Sequence, residues 1–146
     1  MKNDPIDRSP MRGSAKGENE IRMESLQLAT SIAKVLDTKK AANVKVLKVR
    51  DLTVLTDYFV IANGTSTTHV KSLAEEVEFQ LEQQGVKALR TEGYDSKNWI
   101  LLDYGTVIVH VFYPQAREFY DLEHLWADAE ECDIQFDAPE EGAAKE

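Results

Sequence analysis

A single cysteine, Cys132, stands in the whole 146-residue chain. One thiol excludes an internal disulfide framework and a zinc site built from several cysteines, and a cytosolic setting is the default expectation. Long apolar runs are missing as well. None approaches the roughly 20 residues that a membrane-spanning helix needs, and the mixed-charge N-terminal stretch has no apolar core, so no secretory signal is expected. Cations are scarce: 17 Lys and Arg stand against 26 Asp and Glu, for a net charge of −9. The imbalance is uneven, +1 over residues 1–23, −3 over 24–126 and −7 over 127–146. Neutralising phosphates takes clustered Lys and Arg, so little direct nucleic-acid contact is expected. An acidic body suits a basic protein partner, drawn in electrostatically, or serves solubility alone.

What is present points to one globular domain: 42% hydrophobic residues and twelve aromatics, in a chain long enough to bury a core. The most telling stretch runs from Trp99 to Phe112 (WILLDYGTVIVHVF). It reads as two buried strands joined by a tight turn, with Tyr104-Gly105 as the two-residue loop and Asp103 and Tyr104 at or beside its tip. An aromatic at such a tip is hard to bury in its own core, so Tyr104 is expected to meet a partner. Strand alternation sets Trp99, Leu101 and Asp103 on one face, opposite Ile100 and Leu102. A face ending in a carboxylate is expected to be partly open. A Trp, Asp and Tyr cluster there has the make-up of an interface anchor, the alternative being a Trp99 packed in the core.

Along the chain, residues 1–22 show no periodicity and read as a disordered extension. Met23 opens a helical stripe of Leu26, Ala29, Ile32, Ala33 and Leu36. Val44–Val49 reads as a strand, 51–56 as a loop, and Tyr58–Ala62 as a central strand apolar on both faces. Asn63–Thr67 breaks that strand and caps a helix carrying Val70, Leu73, Ala74, Val77 and Leu81, which Gly85 ends. Further strands are expected at 86–90, 99–103 and 106–112. Pro114 then opens a last helix lined by Ala116, Phe119, Leu122 and Trp126. The expected fold is a single α/β domain over residues 23–128 with a mixed five-stranded sheet packed by helices. An acidic tail follows over 129–146.

Chemistry-bearing patterns are thin. Gly64-Thr65-Ser66 between a strand and a helix suggests an anion site, but it lacks the Lys of a phosphate-binding loop and the three-glycine dinucleotide spacing. A nucleotidyltransferase would need paired carboxylates on a neighbouring strand to hold Mg²⁺, and Asp103 stands alone. His69, His110 and His124 fall on separate elements without ligand spacing, so no metal is expected. His110, inside a strand, is expected to be buried with its hydrogen bond satisfied. Ser66 and His69 share one helical turn, as cap and surface, with no acid to complete a nucleophilic site. No cofactor and no catalytic residue are expected.

Taken in order, several motifs resemble the ribosomal silencing factor family, also called the Iojap-related proteins. They are Thr56–Ser66 (TDYFVIANGTS), His69-Val70, Glu92-Gly93, Trp99–Gly105, Val107–Phe112, Arg117–Tyr120 and Leu122–Trp126, spread over residues 24–126. The resemblance implies a mixed-sheet fold akin to nucleotidyltransferases without their catalytic acids. It implies a non-enzymatic translational repressor that binds the large ribosomal subunit through its interface protein, the fourteenth of that subunit, and sterically stops the small subunit from joining. A link to large-subunit maturation is also implied. The family's contact surface corresponds here to Trp99 and Tyr104, with Asp103, Glu92 and Gly93 beside them, and a homodimer of the free chain is plausible. Two positions depart from the family: Thr106, where an Asp usually follows the hairpin glycine, and Thr68, where an Arg often precedes the histidine.

Overall fold

In a computed structural model, the backbone is described for residues 15–136 and the side chains for 24–136. Most of the expected N-terminal extension and the end of the acidic tail lie outside those residues. Helix α1 (Ala15–Thr38) starts ahead of Met23, where its apolar stripe begins, and buries Ala29, Ile32, Ala33 and Leu36. Strands β1 (Ala42–Lys48) and β2 (Tyr58–Asn63) follow, and every residue of β2 is buried. Helix α2 (Thr67–Gln83) buries its whole expected stripe, with the Ser66 hydroxyl accepting from the His69 N–H at its start. Next come β3 (Arg90–Glu92), β4 (Trp99–Asp103), β5 (Val107–Phe112), α3 (Pro114–Tyr120), α4 (Leu122–Leu125) and β6 (Glu130–Cys132).

Among the described residues the sheet has six strands, in the order β3-β4-β5-β2-β1-β6, rather than the expected five. Only the central pair, β2 and β5, is parallel. The added strand is a three-residue edge of the segment expected to be tail, pairing Cys132 with Val46 and Glu130 with Lys48. Its two glutamates hid it, because only Cys132 and Ile134 turn inward to the core. The third strand also sits later than expected. Val86 and Ala88 pack against the core outside any ladder, and pairing begins only at Arg90, opposite Asp103. Finally, Asp121 adopts a left-handed φ of 52° and divides the expected last helix into α3 and α4. That break turns Phe119 outward while Leu122 stays buried.

Alternation splits the apolar residues between two cores. On one face α1 and α2 cover Val46, Tyr58, Val60, Ala62, Ile100, Leu102, Val107, Val109 and Val111. On the other, Leu47, Val49, Phe59, Ile61 and Phe112 meet Leu122, Ala116 and Trp126 from the C-terminal segment. That second cover is fastened by Arg117, only 7% exposed. Its Nη1 donates to the Asn43 carbonyl (2.7 Å) and to Asn63 Oδ1 (3.0 Å). Its Nε and Nη2 hold both oxygens of Glu123 at 3.1 and 2.9 Å. Lys45 adds an ion pair to the same carboxylate. The Arg117 hydrogen bonds hold the Glu123 carboxyl below its ordinary range, even though partial burial works the other way.

Cutting a buried, hydrogen-bonded cation out of such a network typically costs about 3 kcal/mol or more, because its partners are left unpaired. Arg117→Ala is therefore expected to lower unfolding stability by about 3 kcal/mol, read as a shift in urea midpoint at unchanged m-value. A shift no larger than that of an ordinary surface substitution would contradict the clamp.

Candidate partner-binding face

Trp99 opens β4 directly opposite Phe112 of β5. Its indole stacks on Phe112 (centroids 5.0 Å apart, planes at 29°) and meets Tyr120 at 4.6 Å. The indole Nε1–H donates to His110 Nδ1 at 3.1 Å. Phe119 extends the series of rings, edge-on to Tyr120 at 5.1 Å. Tyr120 is 50% and Phe119 80% exposed. Beyond Trp99, Leu101 and Ile108 are half-buried on the same face. The α3–α4 segment thus covers β1, β2 and the near part of β5, leaving β4 an apolar strip bordered by rings.

The expected alternation holds: Ile100 and Leu102 are buried, whereas Trp99, Leu101 and Asp103 are half-buried on the opposite face. Asp103 is at the rim with its oxygens already engaged. Oδ1 accepts from the Gly105 N–H at 2.8 Å, and Oδ2 from Arg90 Nε at 3.1 Å. Arg90 also pairs with Glu92, so the two acids flank one cation along the edge. Gly93 has a backbone role. Its φ is +92°, and a Cβ there would stand 2.0 Å from the Trp99 carbonyl oxygen. Only glycine lets the β3–β4 connection pass so close to the start of β4.

Tyr104 departs from expectation: it is 8% exposed, packed in the core beneath α2. The hairpin loop sits one residue later than the sequence suggested. The Tyr104 N–H donates to the Val107 carbonyl (2.9 Å), which leaves Gly105 and Thr106 as the loop, Gly105 at φ +86°. Gly in the first of two loop positions suits a primed turn. Tyr104 thereby continues the strand path one residue past the last ladder pair, Asp103–Ile108, and alternation sends its ring to the side opposite Trp99. Burial, with Glu78 and Glu82 nearby, raises its phenol pKa above the ordinary value.

The remaining constellations serve the fold. Ser66 caps α2. His69 Nδ1 accepts from the Thr65 N–H at 2.9 Å, and Nε2 lies 3.0 Å from the Lys39 carbonyl. Both ring nitrogens are thus engaged by backbone, and neither is available to activate Ser66. Among the described residues no three His, Cys, Asp or Glu side chains converge as a metal site, and no helix is long and apolar enough to cross a membrane. The sequence reading missed Tyr120 and Phe119 as surface. Two adjacent aromatics just before a helix break cannot both face one core, and that was the available signal.

His110 is 4% exposed and only half satisfied: Nδ1 holds the indole, and Nε2 has no hydrogen-bond partner. Burial pushes its pKa down to about 3. The unfolded chain binds the proton near pH 6.5 and the folded chain does not. Stability is therefore complete above pH 6.5 and falls as pH drops toward 3, by about 2 kcal/mol between pH 7.5 and 5. Denaturant titrations at those two pH values should show that loss in the wild type and not in His110→Asn. An equal loss in both would assign it to other groups.

The family model described as "Ribosomal silencing factor during starvation" matches residues 22–146. A ribosomal silencing factor of Halalkalibacterium halodurans is 38% identical over 112 residues, 77% of this chain and 93% of that one. That of Bacillus subtilis is 36% identical over 104 residues, 71% and 88% of the two chains. A crystal structure from Chromobacterium violaceum, 33% identical, superposes with a TM-score of 0.66 over 80% of this chain and 94% of that one. With the family model matched over most of its length and relatives at 36 to 38% identity, this chain belongs to the ribosomal silencing factor family.

Proposed function

We propose that this chain represses translation without catalysing a reaction. It docks on the large ribosomal subunit through a basic protein of the subunit interface, the fourteenth of that subunit, and keeps the small subunit from joining by excluded volume. Such a role belongs to the cytoplasm, where ribosomes work. Family membership supports the silencing role. The observation that carries the docking reading is the half-exposed strip of β4, with a fixed indole at its start.

The parts have distinct tasks in this reading. Trp99 is the anchor, since rigid aromatics in desolvated centres supply most of an interface's energy. Leu101, Ile108 and Tyr120 extend the apolar contact. Asp103, Glu92 and Arg90 form a polar rim. Gly93 contributes through the backbone path it permits, and Tyr104 through the core beneath the strand. An interface of about 1,600 Å² is sufficient for stable docking when its centre packs well. In the absence of ribosomes the same apolar strip can pair with a second copy, so a free homodimer is part of the reading.

Co-sedimentation of the purified chain with isolated large and small subunits tests this. Binding to large subunits alone is expected, with fewer joined ribosomes once small subunits are added. Trp99→Ala should weaken binding by about 2 kcal/mol, roughly thirty-fold, in a chain that remains folded. Tyr104→Ala should instead lower stability. Equal binding by a folded Trp99→Ala protein would remove the face from consideration, and failure to bind large subunits at all would remove the function.

A further inference from the structure

We infer that His110 is a positioning residue for the docking face: its neutral imidazole holds the Trp99 indole in the orientation the partner meets. This rests on the docking reading above and adds a group that never touches the partner.

The chemistry of the pair is one-sided. An indole Nε1–H can only donate, so the 3.1 Å contact makes His110 Nδ1 an unprotonated acceptor and puts the ring hydrogen on Nε2. Phe59 braces the imidazole edge-on, with centroids 4.8 Å apart and planes at 86°. Trp126 supports Phe59 in the same manner at 5.2 Å. A rigid stack therefore leads from the C-terminal cover, through Phe59 and His110, to the indole. The buried Nε2 has no hydrogen-bond partner. An imidazole kept at that cost does more than fill space, which a phenylalanine or leucine would do without a stranded donor.

Turning the indole N–H inward has two consequences for docking. The polar edge of Trp99 is already satisfied, so an apolar partner surface need not strip water from it. The ring is also held by His110, Phe112 and Tyr120 before contact, so less side-chain freedom is lost on binding.

The test is a coupling measurement with the full chain and isolated large subunits. His110→Phe keeps the ring and removes the acceptor, and is expected to weaken binding about three- to ten-fold. His110→Asn, whose amide oxygen can take the place of Nδ1, is expected to restore most of the affinity. In a Trp99→Phe background, His110→Phe should cause no further loss, because it acts through the indole. In NMR spectra the Trp99 indole N–H resonance should move toward its solvent-exposed position in His110→Phe and exchange faster with water. Should His110→Phe fail to fold, His110→Leu supplies the same comparison.

Wild-type affinity in the folded acceptor-free variants overturns the inference while leaving the docking face intact. So does an equal loss in the Trp99→Phe background, which is the mark of a purely structural role. If Trp99→Ala itself binds like the wild type, the docking face fails, and this role fails with it.

Discussion

The Arg117 guanidinium is the constraint on which the working side of this fold depends. Helices α3 and α4 span only Pro114–Tyr120 and Leu122–Leu125, far too short to be stable alone. Leu122 and Trp126 give them an apolar footing, but apolar contact is non-directional and would tolerate sliding. The planar fork of Arg117 does not. It requires the Asn43 carbonyl, the Asn63 amide oxygen and both Glu123 oxygens together. The irregularity in β1 between Ala42 and Lys45, with Asn43 at φ 52°, accompanies the carbonyl to which Arg117 donates. Once the end of α3 is fixed, Tyr120 is fixed against Trp99.

The two sides of the sheet then divide the labour. The α1–α2 side is closed and apolar, and it holds the larger of the two cores. The other side is covered from β6 inward and stops short of β4. A strip carrying an indole already held by Phe112, Tyr120 and His110 is suited to recognition. Asp103 is occupied by Gly105 and Arg90, and His69 by two backbone groups. The occupancy proposed above calls for a stable, pre-set surface, and a closed core lies behind the strip.

Wherever strong periodicity met one clear partner surface, the sequence was legible. The α2 stripe, the all-buried β2 and the alternation along Trp99–Asp103 all appear as the pattern predicts. Elements decided by pairing rather than composition were not legible. β6 is two glutamates and a cysteine, and only the free edge of β1 makes it a strand. Tyr104 turned on one hydrogen bond: its N–H reaching Val107 moved the loop by one residue and its ring to the other face. No sequence pattern singled out Arg117 as a clamp, because its partners Asn43 and Asn63 lie far away in sequence. Trp99 was recognised as a candidate anchor, but the residue that orients it, His110, could be paired with it only once the strand register was known.

Register also changes what the acidic composition means. From composition, net negative charge suits a basic partner or serves solubility alone. In the sheet, Glu130 and Glu131 occupy the β6 edge, four strand spacings from β4, or roughly 19 Å at about 4.8 Å per strand. At physiological ionic strength charge is screened over about 8 Å, so that edge contributes little to a contact centred on Trp99. The nearer acids, Asp103 and Glu92, already share Arg90. Charge along the described sheet therefore acts mainly on long-range encounter at low salt. On the proposed docking, tightness and selectivity at the face fall to the apolar strip, and so to the groups that hold its indole still.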